Sequence, residues 1–133
     1  MSNYILAEFV TRMRVASKSH WKSVKILKSN FILQIINLLY KEGFIRGFLI
    51  LKNEDNILVF LKYYKNKASY YSLSLISKPG RRVYWSLDFL SRKNSEHNLG
   101  GFYIISTTKG LMTSTGILLG ARITGEVLLK VKV

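Results

Sequence analysis

The sequence predicts an α+β protein of two small lobes: helix-strand-helix-strand-strand first, then a mainly β lobe with a short helix. Three observations carry that expectation. Two segments in the first third of the chain repeat apolar residues at helical spacing. A series of β-rich runs broken by polar turns follows them. Apolar residues make up 48% of the 133, enough for a core.

In the first lobe, residues 1–67, Ser2 is expected to cap a helix whose apolar face is Ile5, Leu6, Phe9, Val10 and Met13. Thr11, Arg12 and Arg14 lie towards its end. Val24 and Ile26 alternate with Lys25 in a short strand. Ser29 or Asn30 caps a second helix that buries Phe31, Ile32, Ile35, Ile36, Leu38 and Leu39, and Gly43 fits a left-handed stop. Phe44 to Lys52 and Ile57 to Tyr64 read as a hairpin around the turn Asn53-Glu54-Asp55-Asn56. In its return strand Ile57, Val59, Leu61 and Tyr63 share one face and Leu58 and Phe60 the other. Asn66 to Ala68 forms the border.

The second lobe, residues 68–133, opens with a strand from Ser69 to Ile76, a Lys78-Pro79-Gly80 turn and a short strand through Val83 and Tyr84. Ser86 to Ser91 forms a helical turn and Asn94 to Gly101 a polar loop. Phe102 to Ser106 is a strand, Thr113 to Leu119 a short helix and Glu126 to Val133 the last strand. No internal repeat or low-complexity run interrupts this order.

Charge narrows the function. Twenty-one Lys and Arg against seven Asp and Glu give a net charge of +14, spread along the chain rather than gathered in a tail. A folded body so charged repels itself, and a polyanion relieves the repulsion; nucleic acid fits better than an anionic membrane surface. Cysteine is absent, which excludes disulfides and thiolate metal sites. His20 and His97 are far apart without a partner at ligand spacing, so no metal is expected. The most apolar stretch, Phe31 to Tyr40, is about half the ~20 residues of a spanning helix. Glu8 lies where a signal peptide would be basic and then apolar. Neither a membrane nor a small-molecule substrate is indicated.

Enzyme constellations are missing. The chain has no phosphate-binding Gly-x-x-x-x-Gly-Lys loop, no Gly-x-Gly-x-x-Gly and no paired acids outside the turn at Glu54-Asp55. Ser106-Thr107-Thr108-Lys109 matches Ser-x-x-Lys, a nucleophile pattern, but so does Ser19-His20-Trp21-Lys22, and the companion motifs are absent. A Ser/Lys hydrolase is therefore a distant alternative, and no cofactor is implied.

Two clusters suit RNA instead. Ser106, Thr107, Thr108, Lys109 and Gly110 offer three hydroxyls, a cation and a residue permitting close backbone approach. The competing reading, an ordinary strand-to-helix turn with Thr113 or Ser114 as cap, stands level with it. Lys78-Pro79-Gly80-Arg81-Arg82-Val83-Tyr84-Trp85 sets three cations around a rigid turn before two aromatics, of which one is core, because neighbours in a strand face opposite ways. Tyr63, Tyr64, Tyr70 and Tyr71 read as sheet packing rather than a stacking platform.

In order along nearly the whole chain, these segments resemble bacterial-type small-subunit ribosomal protein eight. Thr11-Arg12-Met13-Arg14 is similar to that family's Thr-Arg-Ile-Arg, and Tyr40-Lys41-Glu42-Gly43-Phe44-Ile45 to its Lys-Glu-Glu-Gly-Phe-Ile. Ser77 to Tyr84 is similar to its Ser-Arg/Lys-Pro-Gly-x-Arg-Ile/Val-Tyr. Ser106 to Thr113 resembles Ser-Thr-Ser-Lys-Gly-Val-Met-Thr, and Gly125-Glu126-Val127-Leu128 the closing Gly-Gly-Glu-Ile/Val-Leu. The resemblance implies a non-enzymatic structural constituent of the small ribosomal subunit. Such a protein binds the central domain of small-subunit ribosomal RNA and touches neighbouring small-subunit proteins. By matching position it implicates Ser106, Thr107, Thr108, Lys109 and Gly110, then Lys78, Arg81, Arg82 and Tyr84, then Thr11, Arg12 and Arg14, with Glu126 shaping the RNA site or serving as a buried structural group.

Two departures stand out. The family's charged Asp-Arg-Glu/Ala-Ala-Arg is replaced by the uncharged Ser114-Thr115-Gly116-Ile117-Leu118-Leu119. Thr124 stands where Gly is usual, with one extra residue before it. The apolar surplus and the Ile, Asn, Lys, Phe and Tyr bias of AT-rich coding imply an organellar copy, mitochondrial rather than plastid or bacterial. A free regulatory RNA-binding protein is the alternative reading.

Overall fold

A computed structural model describes residues 2–65, 67–68, 72–78, 80–95 and 101–132, which divide into two compact units, Met1–Tyr70 and Tyr71–Val133. Ser69, Tyr70, Tyr71, Pro79 and His97, each named in the reading above, lie outside the described residues.

The first unit opens with α1 (Ser2–Lys18), whose buried Leu6, Phe9, Val10, Met13 and Ala16 recur every three or four residues and form one stripe. Ser2, expected as a cap, is itself the first helical residue. Strand β1 (Ser23–Leu27) follows. Ser29 then leads into α2 (Asn30–Lys41) from an extended backbone at φ −154° and ψ 146°, without a side-chain capping bond. Only Ile32, Ile35, Ile36 and Leu39 of α2 are fully buried; Phe31 and Leu38, expected inside, are half-buried because they flank the stripe instead of lying on it. Gly43 ends the helix at φ +85°, and the Phe44 N–H donates to the Leu39 carbonyl at 3.0 Å, as the expected stop requires.

Strands β2 (Ile45–Leu51) and β3 (Asn56–Leu61) form the expected hairpin, and β1 pairs antiparallel on the far side of β3. Along β3 burial alternates strictly, with Ile57, Val59 and Leu61 inside and Leu58 and Phe60 on the other face. The return strand is shorter than expected. It stops at Leu61, and Tyr63–Tyr64 (β4) pairs with Lys67–Ala68 (β5) instead. The Tyr63 hydroxyl donates to the Trp21 carbonyl at 2.6 Å and ties β4 to the segment between α1 and β1.

In the second unit, β6 (Ser72–Leu75), β7 (Phe102–Thr107), β8 (Gly110–Thr113) and β9 (Glu126–Lys132) form an antiparallel sheet in the order β6-β9-β7-β8. Helix α3 (Leu87–Ser95) is longer than the turn expected over 86–91 and takes in Asn94, expected in a loop. Asn94 earns its place there: its Oδ1 accepts from the buried Ser114 hydroxyl at 2.7 Å. Leu90, Tyr103, Ile105, Ile117 and Val127 form one buried cluster of this unit. Trp85 packs against it edge-on to Tyr103 at 4.9 Å between ring centroids, whereas Tyr84 is 66% exposed. One ring inside and its neighbour outside is the division the strand-like spacing predicted.

The expected strand through Val83 and Tyr84 reduces to single bridges, Lys78 to Arg81 and Tyr84 to Glu126. The expected helix after Thr113 is three α-helical residues, α4 (Ser114–Gly116), continuing into a π turn over Ile117–Ala121. Thr113 caps it by accepting from the Gly116 N–H at 3.1 Å. Arg122, left-handed at φ 53°, closes the turn with its N–H on the Ile117 carbonyl at 2.8 Å.

Candidate RNA interface

The hydroxyl segment is a β-hairpin, not a strand-to-helix turn. Thr107 pairs with Gly110 and Ser106 with Leu111, leaving Thr108 and Lys109 at the tip. Gly110 sits at φ +106° while Thr108 and Lys109 keep negative φ, so the glycine lets a right-handed turn rejoin the ladder. The Thr107 hydroxyl is spent on the turn: it donates to the Gly110 carbonyl at 2.8 Å and accepts from the Lys109 N–H at 3.1 Å. Among the described residues, the Ser106 and Thr108 hydroxyls make no such bond and Lys109 has no ion pair. Lys109 is exposed, without the enclosure a lysine base needs, so the Ser-x-x-Lys pattern gains no support as a nucleophilic centre.

Beside the hairpin, register places residues distant in sequence in one row. Glu126 is opposite Ser106 across β7 and β9, and bridges Tyr84 on its other side. Directly opposed residues share a sheet face, so Tyr84, Glu126 and Ser106 project together. Arg82 joins them: its guanidinium donates to both Glu126 carboxylate oxygens at 3.2 Å. The Glu126 side chain is 14% exposed and that of Arg82 45%, so the acid is held in while the cation remains accessible. Lys78 and Arg81 exchange backbone bonds of 3.0 and 2.9 Å around the tight turn containing Gly80 at φ +79°, and both residues are exposed.

Three residues that the sequence reading did not place among the RNA contacts support the structure around this row. Ser77, fully buried, donates to the Val127 carbonyl at 2.6 Å and accepts from the Val83 N–H at 2.9 Å, fastening the basic segment to β9. Ser114 accepts from the Tyr103 N–H at 3.1 Å. Gly125 passes so close to β7 that a Cβ there would fall 1.9 Å from the Ser106 carbonyl oxygen. Ser77 opens the Ser-Lys-Pro-Gly match and Gly125 the closing Gly-Glu match, and those motifs were the available signal for both.

Thr11, Arg12 and Arg14 belong to the first unit. Arg12 is tied internally, donating to the Lys25 carbonyl at 2.8 Å and pairing with Glu8 at 3.1 Å. Thr11 donates to the Ala7 carbonyl at 2.9 Å, and Arg14 is exposed. Among the described residues no three His, Asp or Glu gather as metal ligands, and no helix is long and apolar enough to cross a membrane.

A strongly basic α+β body that sets hydroxyls, cations and a bare aromatic ring on one sheet surface defines a nucleic-acid-binding structural protein. Comparison with known proteins gives the family. The family model described as Ribosomal protein S8 matches residues 4–131. "Small ribosomal subunit protein uS8m" of Acanthamoeba castellanii is 35% identical over 131 residues, 96% of this chain and 98% of that protein. "Small ribosomal subunit protein uS8" of Mycoplasmopsis pulmonis is 40% identical over 110 residues, 81% of each chain. Its namesake in Aliarcobacter butzleri is 35% identical over 132 residues, 96% of this chain and 97% of the other. The chain belongs to the ribosomal protein S8 family, as its motifs implied.

Proposed function

We propose that this protein is a structural constituent of the small subunit of an organellar ribosome, that of the mitochondrion, and binds the central domain of small-subunit ribosomal RNA directly. The observation that carries the reading is the row Tyr84–Glu126–Ser106 with Arg82 locked onto Glu126, next to a hairpin tip bearing Thr108 and Lys109. Folded RNA is recognised through shape, riboses and phosphates more than through base edges in a deep groove. Hydroxyls on a rigid hairpin suit riboses and phosphates, a guanidinium fixed by a carboxylate presents a planar fork, and an exposed phenol ring offers a stacking surface. Lys78, Arg81 and Lys109 add sequence-independent attraction to phosphate. Thr107 and Gly110 shape the turn. Thr11, Arg12 and Arg14 act from the first unit.

Replacing Ser106 and Thr108 together by Ala, with Thr107 kept to preserve the turn, tests the assignment. Affinity for a stem-loop from the central domain of the cognate RNA falls about tenfold, two hydroxyl contacts being worth about 0.5–1.5 kcal/mol each. Unchanged affinity in that assay removes the hairpin from the interface. Salt-resistant sedimentation with small subunits supports the ribosomal role, and recovery only at the top of the gradient favours a free regulatory RNA-binding protein.

A further inference from the structure

The sheet of the first unit has two unlike faces. Ile57 and Val59 are 0% exposed on one, whereas Leu58 and Phe60 on the other are half-buried. Phe60 stands in register between Ser23 of β1 and Gly47 of β2. Both neighbours are small, so no long side chain stands directly opposite the ring on either flanking strand. A Cβ built on Gly47 would meet nothing within 4 Å, and Gly47 does not adopt a positive φ. Folding therefore makes no demand for glycine there; its effect is to leave a groove open, lined by Lys22, Ser23, Arg46, Gly47 and Phe60.

Cations stand at this groove. The register of β2 slips between Ile45 and Gly47, and such a bulge re-aims the extra residue, here the exposed Arg46. Lys22, also exposed, immediately precedes β1. Neither has an ion pair among the described residues. A second groove, lined in part by Thr11, Arg12 and the 48% exposed Trp21, meets the first at Ser23.

We propose that the Phe60 groove is a second RNA site that holds one unpaired base against the ring, with Lys22 and Arg46 taking the flanking phosphates. A flat apolar wall between cations is the chemistry of a single-stranded nucleotide site: the ring takes any base by stacking and the cations follow the backbone. An apolar peptide segment fits worse, because covering the groove would desolvate two unpaired cations without compensation. The site lies in the first unit and does not depend on the hairpin assignment in the second.

The test uses the full chain and a fluorescein-labelled eight-nucleotide oligoadenylate, followed by anisotropy. Gly47→Val fills the groove with a residue that strands accept, and Phe60→Leu keeps apolar bulk while removing the stacking face. Each weakens oligoadenylate binding by about fivefold or more, the lower end of a stacking contribution, and leaves affinity for the central-domain stem-loop unchanged. Replacing Lys22 and Arg46 together by Ala lowers the salt dependence by about 1.4 logarithmic units, as expected for two phosphates on a single strand. Ser106→Ala with Thr108→Ala leaves oligoadenylate binding intact, which separates failure of this site from failure of the hairpin. Undetectable wild-type binding, indifference to both groove variants, or a parallel loss of stem-loop affinity overturns the proposal.

Discussion

Gly125→Ala is the most searching perturbation of the Tyr84–Glu126–Ser106 row proposed to face RNA, because one methyl group is set against backbone alone. The added Cβ would lie 1.9 Å from the Ser106 carbonyl oxygen, 2.9 Å from its carbon and 3.2 Å from the Thr107 Cα. No side chain is there to rotate away. Bringing that oxygen out to the 3.0 Å at which real contacts begin requires about 1 Å of movement between β7 and the approach to β9. Overpacking of this kind costs about 1–3 kcal/mol. The displacement falls on the Ser106–Glu126 pair, so alignment within the row is lost together with stability. Urea unfolding reads the effect through Trp85, which packs against Tyr103 and Phe89, in a Trp21→Phe background so that this ring reports alone. The midpoint falls with little change in slope, and affinity for the central-domain stem-loop drops about tenfold. An unchanged midpoint with unchanged RNA affinity would refute the claim that close strand approach at Gly125 shapes the site.

Ser77→Ala, which strips the Val127 carbonyl and the Val83 N–H of a buried partner, lowers unfolding free energy by about 2 kcal/mol in the same urea experiment. Arg82→Met removes the Nη1 hold on both Glu126 oxygens and weakens stem-loop binding by more than its small effect on stability, since a half-exposed pair contributes about 1 kcal/mol or less. Lys109→Ala leaves stability unchanged and reduces the salt slope of stem-loop binding by about one unit in a titration across salt concentrations. Burial pushes the Tyr63 phenol above its ordinary range. Its proton is held more tightly folded than unfolded, so this stability is full below about pH 10 and is lost as pH rises through the raised folded value. Tyr63→Phe flattens that alkaline decline in urea midpoints measured against pH, and at neutral pH costs about 1 kcal/mol for the bond to Trp21.

Local pattern was enough for much of this protein. Apolar spacing located α1 and α2, alternation located the two faces of β3, and Gly43 marked the end of α2, because each is decided within a few residues of chain. The chemistry of the hairpin tip and the basic turn, and the family that their order implied, were legible for the same reason: they are contiguous. Short or coupled elements were not. Strand β8 is four residues long and runs straight into a capped helical turn, so its pattern could not be told from the start of a helix; only pairing with β7 decides it. The extra length of α3 rests on Asn94 meeting Ser114, twenty positions away. The row Tyr84–Glu126–Ser106 exists because β9 lies between two segments that never meet along the chain. What the sequence alone determined was the set of candidate side chains for binding RNA. Which of them stand side by side was left to antiparallel register, and register is fixed by long-range burial and strand pairing that no local window contains.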